Sequence, residues 1–187
     1  MDSGTKKLGI LGVILAGGLS SRMGGGDKTL LRISGKPLLV HVINRFKPQV
    51  DKLALNANGD PLRFEKYNLP VISDSIGNFP GPLAGVLSGL DWASELGYKN
   101  IVTVAADTPF FPRDLAYELN KKCKELDAPI GLAATLCLKN NKNVRHPTFG
   151  FWSVNLRENL RSALNAGVRK VVAWTEVNNG IDIVFKE

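Results

Sequence analysis

Along the chain of 187 residues, apolar and polar positions come in alternating blocks. Residues 8–15, Leu-Gly-Ile-Leu-Gly-Val-Ile-Leu, are almost continuously apolar, as expected of a strand buried on both faces of a parallel sheet. Residues 101–106, Ile-Val-Thr-Val-Ala-Ala, repeat the pattern and predict the central strand. Shorter apolar runs at 51–55, 70–73, 130–136, 147–152 and 181–184 predict the remaining strands. Segments of helical character separate them: 37–46, a helix from Pro82 to about 95, 112–124, 156–165 and 168–175. Pro37, Pro82 and Pro112 stand at predicted helix starts, where the missing N–H costs little. Asp60-Pro61 caps a further short helix, and the polar residues 139–143 predict a turn. Strands alternating with helices imply a mostly parallel sheet covered on both faces, a three-layer α/β/α arrangement. No linker, internal repeat or low-complexity block interrupts the pattern, so residues 1–187 read as one domain.

Composition narrows the class. The chain is 44% hydrophobic and 22% charged, the balance of a soluble globular protein. No stretch approaches the ~20 apolar residues of a membrane span. The opening Met-Asp-Ser-Gly-Thr-Lys-Lys lacks the apolar core of a secretory signal. Cys123 and Cys137 are too few and too far apart for a disulfide framework or a metal knot. The expectation is a reduced, cytoplasmic protein with no membrane association. The net charge of +7 is uneven, because residues 1–50 carry eight Lys/Arg against Asp2 and Asp27. A basic nucleic-acid binder would spread such charge in a stripe interleaved with exposed aromatics. Confined to the first quarter, the charge points to anionic small molecules, and nucleic acid is not expected as a partner.

The richest chemistry lies in residues 15–28, LAGGLSSRMGGGDK. Glycine permits close backbone approach, so several N–H groups can turn toward one anion. Alone, the glycines would describe a flexible loop. A buried strand before them, with Arg22 and Lys28 among them, turns the reading toward a polyphosphate. Neither common phosphate loop fits. A Walker loop requires Gly-Lys-Ser/Thr, whereas Lys28 follows Asp27, and the Gly-x-Gly-x-x-Gly fingerprint is absent after Gly17-Gly18.

Asn56, Asp74 and Asp107 each terminate a predicted strand. Ligands of open α/β sheets gather outside the carboxyl ends of the strands, so these residues would converge with the glycine loop. Asn56 reads equally well as a turn former, and Asp74 as a turn cap. Asp107 follows an uninterrupted apolar strand and has fewer local duties. Hard carboxylate oxygens suit Mg²⁺, which commonly takes one or two carboxylates together with substrate phosphates.

Leu-Ala-Gly-Gly, then Ser-x-Arg-Met-Gly and Lys, resembles the signature loop of nucleotidyltransferases of the nucleoside-diphosphate-sugar pyrophosphorylase type. The form LAGGLSSRMGGGDKTLL, followed by Asn56-Ala-Asn58, Asp74-Ser75, Phe79-Pro-Gly-Pro-Leu-Ala-Gly85, Asp107-Thr-Pro-Phe110 and His146-Pro-Thr-Phe149, is most similar to the molybdenum cofactor guanylyltransferase family. That resemblance implies a Rossmann-like nucleotidyltransferase fold and an Mg²⁺-dependent transfer of GMP from GTP to the phosphate of molybdopterin. Molybdopterin guanine dinucleotide and pyrophosphate would be the products. It implies nucleotide contacts at Leu15, Ala16, Gly17, Gly18, Gly25, Lys28, Asn56, Asp74 and Asp107. Arg22, Lys28 and Asp107 would be catalytic, with Asp107 also holding the metal. As partners it implies a molybdenum-insertion protein and molybdoenzyme chaperones, around a monomer or weak homo-oligomer. The family's Asn-x-Asn-Thr-Pro segment after the last strand has no counterpart here, so residues on the pterin side stay unassigned.

The glycine loop is shared with transferases that use CTP with molybdopterin, or a sugar or alditol phosphate acceptor. Asp107-Thr-Pro and His-Pro-Thr-Phe favour the guanylyl reading. A nucleotide-binding regulator without turnover is the reading outside enzymes. His146 is read as a hydrogen-bonded residue that orients its strand, ahead of an acid–base role. Cys123 is expected on a helix surface and Cys137 in the core.

Overall fold

The computed structural model describes residues 9–17, 32–77, 81–137 and 142–185. In chain order the elements are β1 (Ile10–Leu15), β2 (Arg32–Ile33), β3 (Lys36–Pro37), α1 (Leu38–Phe46), β4 (Lys52–Asn56) and β5 (Val71–Ile72). There follow α2 (Pro82–Glu95), β6 (Asn100–Ala105), α3 (Leu115–Glu125), β7 (Ile130–Cys137), β8 (Lys142–Ser153), α4 (Arg157–Asn165), α5 (Val171–Val177) and β9 (Ile181–Phe185). The seven-stranded sheet runs β5-β4-β1-β6-β8-β7-β9, and β8 alone is antiparallel to its neighbours. This is the mostly parallel, Rossmann-like sheet the sequence implies. The chain steps from β1 outward to β4 and β5, then returns to place β6 on the other side of β1. That reversal makes the carboxyl end of the β1–β6 pair the switch point at which such sheets bind ligands.

Alternation along β1 explains how both faces are covered. Ile10 and Ile14 pack with Leu39, Val42 and Phe46 of α1 and with Leu115 and Leu119 of α3. Leu11 and Val13 point the other way, against Leu83, Val86, Leu87 and Leu90 of α2 and the inner faces of α4 and α5. A strand buried on both faces reads as a continuous apolar run for this reason. Trp152 on β8 is fully buried and stacks on Trp174 of α5, with ring centroids 6.2 Å apart. Its indole N–H donates to the Thr103 hydroxyl at 2.9 Å, and Thr103 donates in turn to the Thr148 carbonyl. A buried N–H left without that acceptor would cost about 1–3 kcal/mol.

Several boundaries differ from the sequence reading. Pro37 belongs to β3 and precedes α1, while α3 starts at Leu115, after a turn in which the Leu115 N–H reaches the Pro112 carbonyl. The two-residue ribbon β2–β3 is too short to show any apolar periodicity. The polar turn expected at 139–143 instead contributes Lys142 and Asn143 to β8, paired with Cys137 and Leu136. These residues lie in a β7–β8 hairpin that projects past the carboxyl edge of the parallel strands, so polar side chains suit them. Asp60 caps a 3₁₀ helix, its carboxylate accepting the Leu62 N–H at 2.9 Å, as the Asp-Pro pair implies.

The two cysteines exchange their expected places. Cys123 continues the Leu115–Leu119 stripe of α3 and is 2% exposed, whereas Cys137 ends β7 on the hairpin and is half-buried. Burial alone pushes the Cys123 thiol up to about 12. Thiolate is the reactive form, so Cys123 is protected both by burial and by protonation. A disulfide-exchange reagent at neutral pH should therefore titrate one thiol in the native protein and two after denaturation. Fast labelling of both in the native state would contradict this packing.

Candidate functional site

Parallel pairing brings the ends of β5, β4, β1 and β6 to one edge. Leu15 lies beside Asn56 on one side and Ala105 on the other. The ladder continues beyond the strand ends, where the Ala16 N–H donates to the Asn56 carbonyl at 2.9 Å and the Ala106 N–H donates to the Leu15 carbonyl at 3.1 Å. Leu15 and Ala16 are thus held in the ladder where β1 leaves the sheet, and Gly17 follows directly.

Three polar side chains converge on Gly17. Asn56, only 2% exposed, donates through Nδ2 to the Ile72 carbonyl at 3.2 Å and to Asp74 Oδ1 at 2.9 Å. Asn58 donates from Nδ2 to Asp74 Oδ2 at 2.7 Å, and its Oδ1 accepts the Asp74 backbone N–H at 2.9 Å. The Asp74 carboxylate therefore receives one amide on each oxygen and retains lone pairs on both. A Cβ on Gly17 would stand 3.2 Å from Asn56 Oδ1, 3.7 Å from Asn58 Nδ2 and 4.0 Å from Asp74 Oδ1. Glycine at this position lets the backbone lie against the cluster. The result is a polar cradle, rich in acceptors, at the base of the glycine-rich segment.

Asp107 follows β6 and is exposed, with the Thr108 hydroxyl donating to its Oδ1 at 3.2 Å. Thr108 also lines a cavity of about 220 Å³ whose walls include Phe110, Thr135, His146, Phe149 and Phe185. Asp107 consequently sits at the rim of an apolar chamber on the opposite side of β1 from the Asn56–Asp74 cradle. His146 lies 3.1 Å from the Thr135 hydroxyl across the β7–β8 hairpin and meets Phe149 edge-on. That placement fits a strand-orienting residue. Phe110, 74% exposed, stands at the chamber's mouth.

The described residues contain no cluster of three or more His, Cys, Asp or Glu suited to a metal ion. A lone exposed carboxylate still fits Mg²⁺, whose remaining ligands would be substrate phosphates and water. A broader, shallow cleft of about 790 Å³ between α4 and α5 is lined by Ala163, Ala166, Val168, Ala173, Trp174 and Val177 together with Glu158, Asn159, Ser162 and Asn178. It lies over one sheet face, away from the strand ends.

Of the residues singled out by sequence, Leu15, Ala16, Gly17, Asn56 and Asp74 come together, and Asp107 stands across β1 from them. Gly18, Arg22, Gly25 and Lys28 lie outside the described residues. Sequence reading left Asn58 without a role. Its signal was the strand period of two, which puts Asn58 on the same side as Asn56. Ser75, bonded through its N–H to Ser88 at 2.9 Å and through its hydroxyl to Asp91 at 2.6 Å, was also unassigned.

Comparison with known proteins bears on the family and the fold. A molybdenum cofactor guanylyltransferase from Bradyrhizobium sp. (strain ORS 278) is 48% identical over 167 residues, covering 88% of this chain and 76% of that protein. Another, from Mesorhizobium japonicum, is 41% identical over 179 residues, covering 95% and 83% respectively. The crystal structure of molybdopterin-guanine dinucleotide biosynthesis protein A from Archaeoglobus fulgidus shares the fold, with a TM-score of 0.72 at 21% identity, over 94% of this chain and 83% of that one. The family model for the MobA-like NTP transferase domain matches residues 12–179, from within β1 to the residue pair before β9, and so takes in the whole cradle. The chain belongs to the MobA-like NTP transferase domain family.

Proposed function

We propose that this protein is a nucleotidyltransferase that moves GMP from GTP to the terminal phosphate of molybdopterin carrying molybdenum, releasing pyrophosphate. The observation that carries the reading is the cradle around Gly17, where Asn56, Asn58 and Asp74 meet at the sheet's switch point. The high identity to proteins named molybdenum cofactor guanylyltransferase supports the choice of both substrates.

In the reaction a molybdopterin phosphate oxygen attacks the α-phosphorus of GTP, and the bond from that phosphorus to the α–β bridging oxygen breaks. The electron pair leaves with pyrophosphate. The nucleophile is already an anion, so the site needs no strong general base. It needs two mutually repelling anions held in line and their charge offset. The acceptors of the Asn56–Asp74 pair match the N–H and O–H donors of a guanine nucleoside. The backbone of Leu15, Ala16 and Gly17 would run alongside it. Lys28 and Arg22 would neutralise charge developing on the phosphates. Asp107 would hold Mg²⁺, which when bound supplies further positive charge to phosphate oxygens. The apolar chamber beside Asp107 suits a flat heterocycle, and we assign the pterin to it. This division puts nucleotide and acceptor on opposite sides of β1 with Asp107 between them. The site, on this reading, works in the cytoplasm, and among the described residues no helix is long and apolar enough to cross a membrane.

Replacing Asp107 with Ala should lower kcat by about 10²–10³-fold while leaving the melting temperature near wild type, because one preorganised charge contact is lost from an exposed position. Wild-type turnover in the folded variant would remove Asp107 from the mechanism. Nucleotide choice is tested by pyrophosphate release with Mg²⁺ and GTP, CTP or UTP, with and without molybdopterin. Release should require both GTP and the pterin. Equal release with CTP would point to the cytidylyl reaction, and tight GTP binding without release would point to a regulator.

A further inference from the structure

The cradle rests on helix α2, and two α2 residues without an assigned role fit against it. Gly85 is buried directly beneath the Asn56 carboxamide. A Cβ there would stand 2.3 Å from Asn56 Oδ1, 2.9 Å from its Cγ and 2.9 Å from Leu15 Cδ2. Contacts of that length do not occur, so something would have to move. Asn56 cannot swing away without giving up its bonds to Ile72 and Asp74. Ser88, one turn further along the same face of α2, is 4% exposed. Its hydroxyl accepts the Ser75 N–H at 2.9 Å and donates to the Ala84 carbonyl at 3.0 Å. The Ser75 hydroxyl donates to Asp91, the next α2 position on that side, and Arg161 of α4 pairs with Asp91. The residue immediately after Asp74 is therefore fixed to α2 by a buried acceptor.

We propose that Gly85 and Ser88 are positioning residues for nucleotide recognition, Gly85 by leaving the volume that the Asn56 carboxamide fills and Ser88 by anchoring the backbone beside Asp74. The proposal rests on the reading of Asn56 and Asp74 as nucleotide contacts. Gly89 supplies the comparison within the same helix. A Cβ at Gly89 would meet Ile101 Cδ1 and Val13 Cγ2, each at 2.9 Å, which are ends of apolar side chains in the helix–sheet core. Its small size serves packing alone, whereas that of Gly85 makes room for a polar group of the cradle.

The test combines Gly85→Ala, Ser88→Ala and Gly89→Ala with Asn56→Ala, reading KM for GTP, kcat, melting temperature and the Asn56 side-chain amide signal of the ligand-free protein by NMR. Gly85→Ala should shift the Asn56 amide signal and raise KM for GTP, by up to about 10²-fold if the carboxamide is displaced by 1 Å. Gly89→Ala should lower the melting temperature and leave KM for GTP unchanged. In the Asn56→Ala background, Gly85→Ala should raise KM no further, since residues that act through one another are not additive. Ser88→Ala should raise KM for GTP through Asp74, and it tests the positioning role independently if Gly85→Ala does not fold. An unmoved Asn56 signal in folded Gly85→Ala, or effects of Gly85→Ala and Asn56→Ala that multiply, would overturn the positioning role. A moved signal with KM unchanged would instead overturn the nucleotide assignment of Asn56.

Discussion

The Asn56 carboxamide spends its Nδ2 hydrogens on β5 and its loop, one on the Ile72 carbonyl and one on the Asp74 carboxylate, while its Oδ1 faces Gly17 and Gly85. It ties two parallel strand ends together through a side chain. Because the group is 2% exposed, each of those bonds forms away from water, where an amide left unpaired would be costly. Glycine at 17 and 85 follows from this, since any Cβ competes with the amide for space. So does the position of Asp74, whose second oxygen is taken by Asn58. The side chains of the cradle are bonded to one another without a ligand, and preorganisation of this kind lowers the ordering cost of binding.

The same sheet separates the Gly17 cradle from the chamber beside Asp107. Five of the parallel strands, β5, β4, β1, β6 and β7, carry their ends to one edge, and the antiparallel β8 is inserted between β6 and β7. That insertion lifts the β7–β8 hairpin above the edge and forms one wall of the chamber beside Asp107. Arg145 on the hairpin pairs with Asp182 of β9 at 2.8 Å and with Glu176 of α5, which braces the wall against the last strand and holds its guanidinium firmly in the charged form. On the proposed assignment, the nucleotide and acceptor sides are built from different strands. In a transfer between two anions, separate rigid supports oppose the repulsion that would push the reactants apart.

How much of this was legible beforehand depended on range. Buried parallel strands announce themselves, because β1 and β6 must be apolar on both faces, and the alternation of elements then implies the layered fold. The strand-end positions of Asn56, Asp74 and Asp107 were readable from the same pattern. The hairpin was not: Lys142 and Asn143 read as part of a polar turn, and only their pairing with Cys137 and Leu136 reveals that they belong to a strand. Cys123 and Cys137 were misplaced for a similar reason. The i, i+4 stripe of Leu115, Leu119 and Cys123 decides which helix face is inward, and a lone cysteine carries no such information. Gly85 lay within a quoted motif, yet its reason is a contact with a residue 29 positions away in sequence.

Both the chemistry and the role of α2 depend on the nucleotide binding at the Gly17 cradle. An NMR titration of the ¹⁵N-labelled protein with GTP and Mg²⁺, following backbone and side-chain amides, puts that placement to the proof. The largest shifts should fall at Ala16, Gly17 and Ser75 and at the side chains of Asn56 and Asn58. Shifts confined to the α4–α5 cleft around Asn159, Trp174 and Asn178, with the cradle signals unmoved, would contradict it.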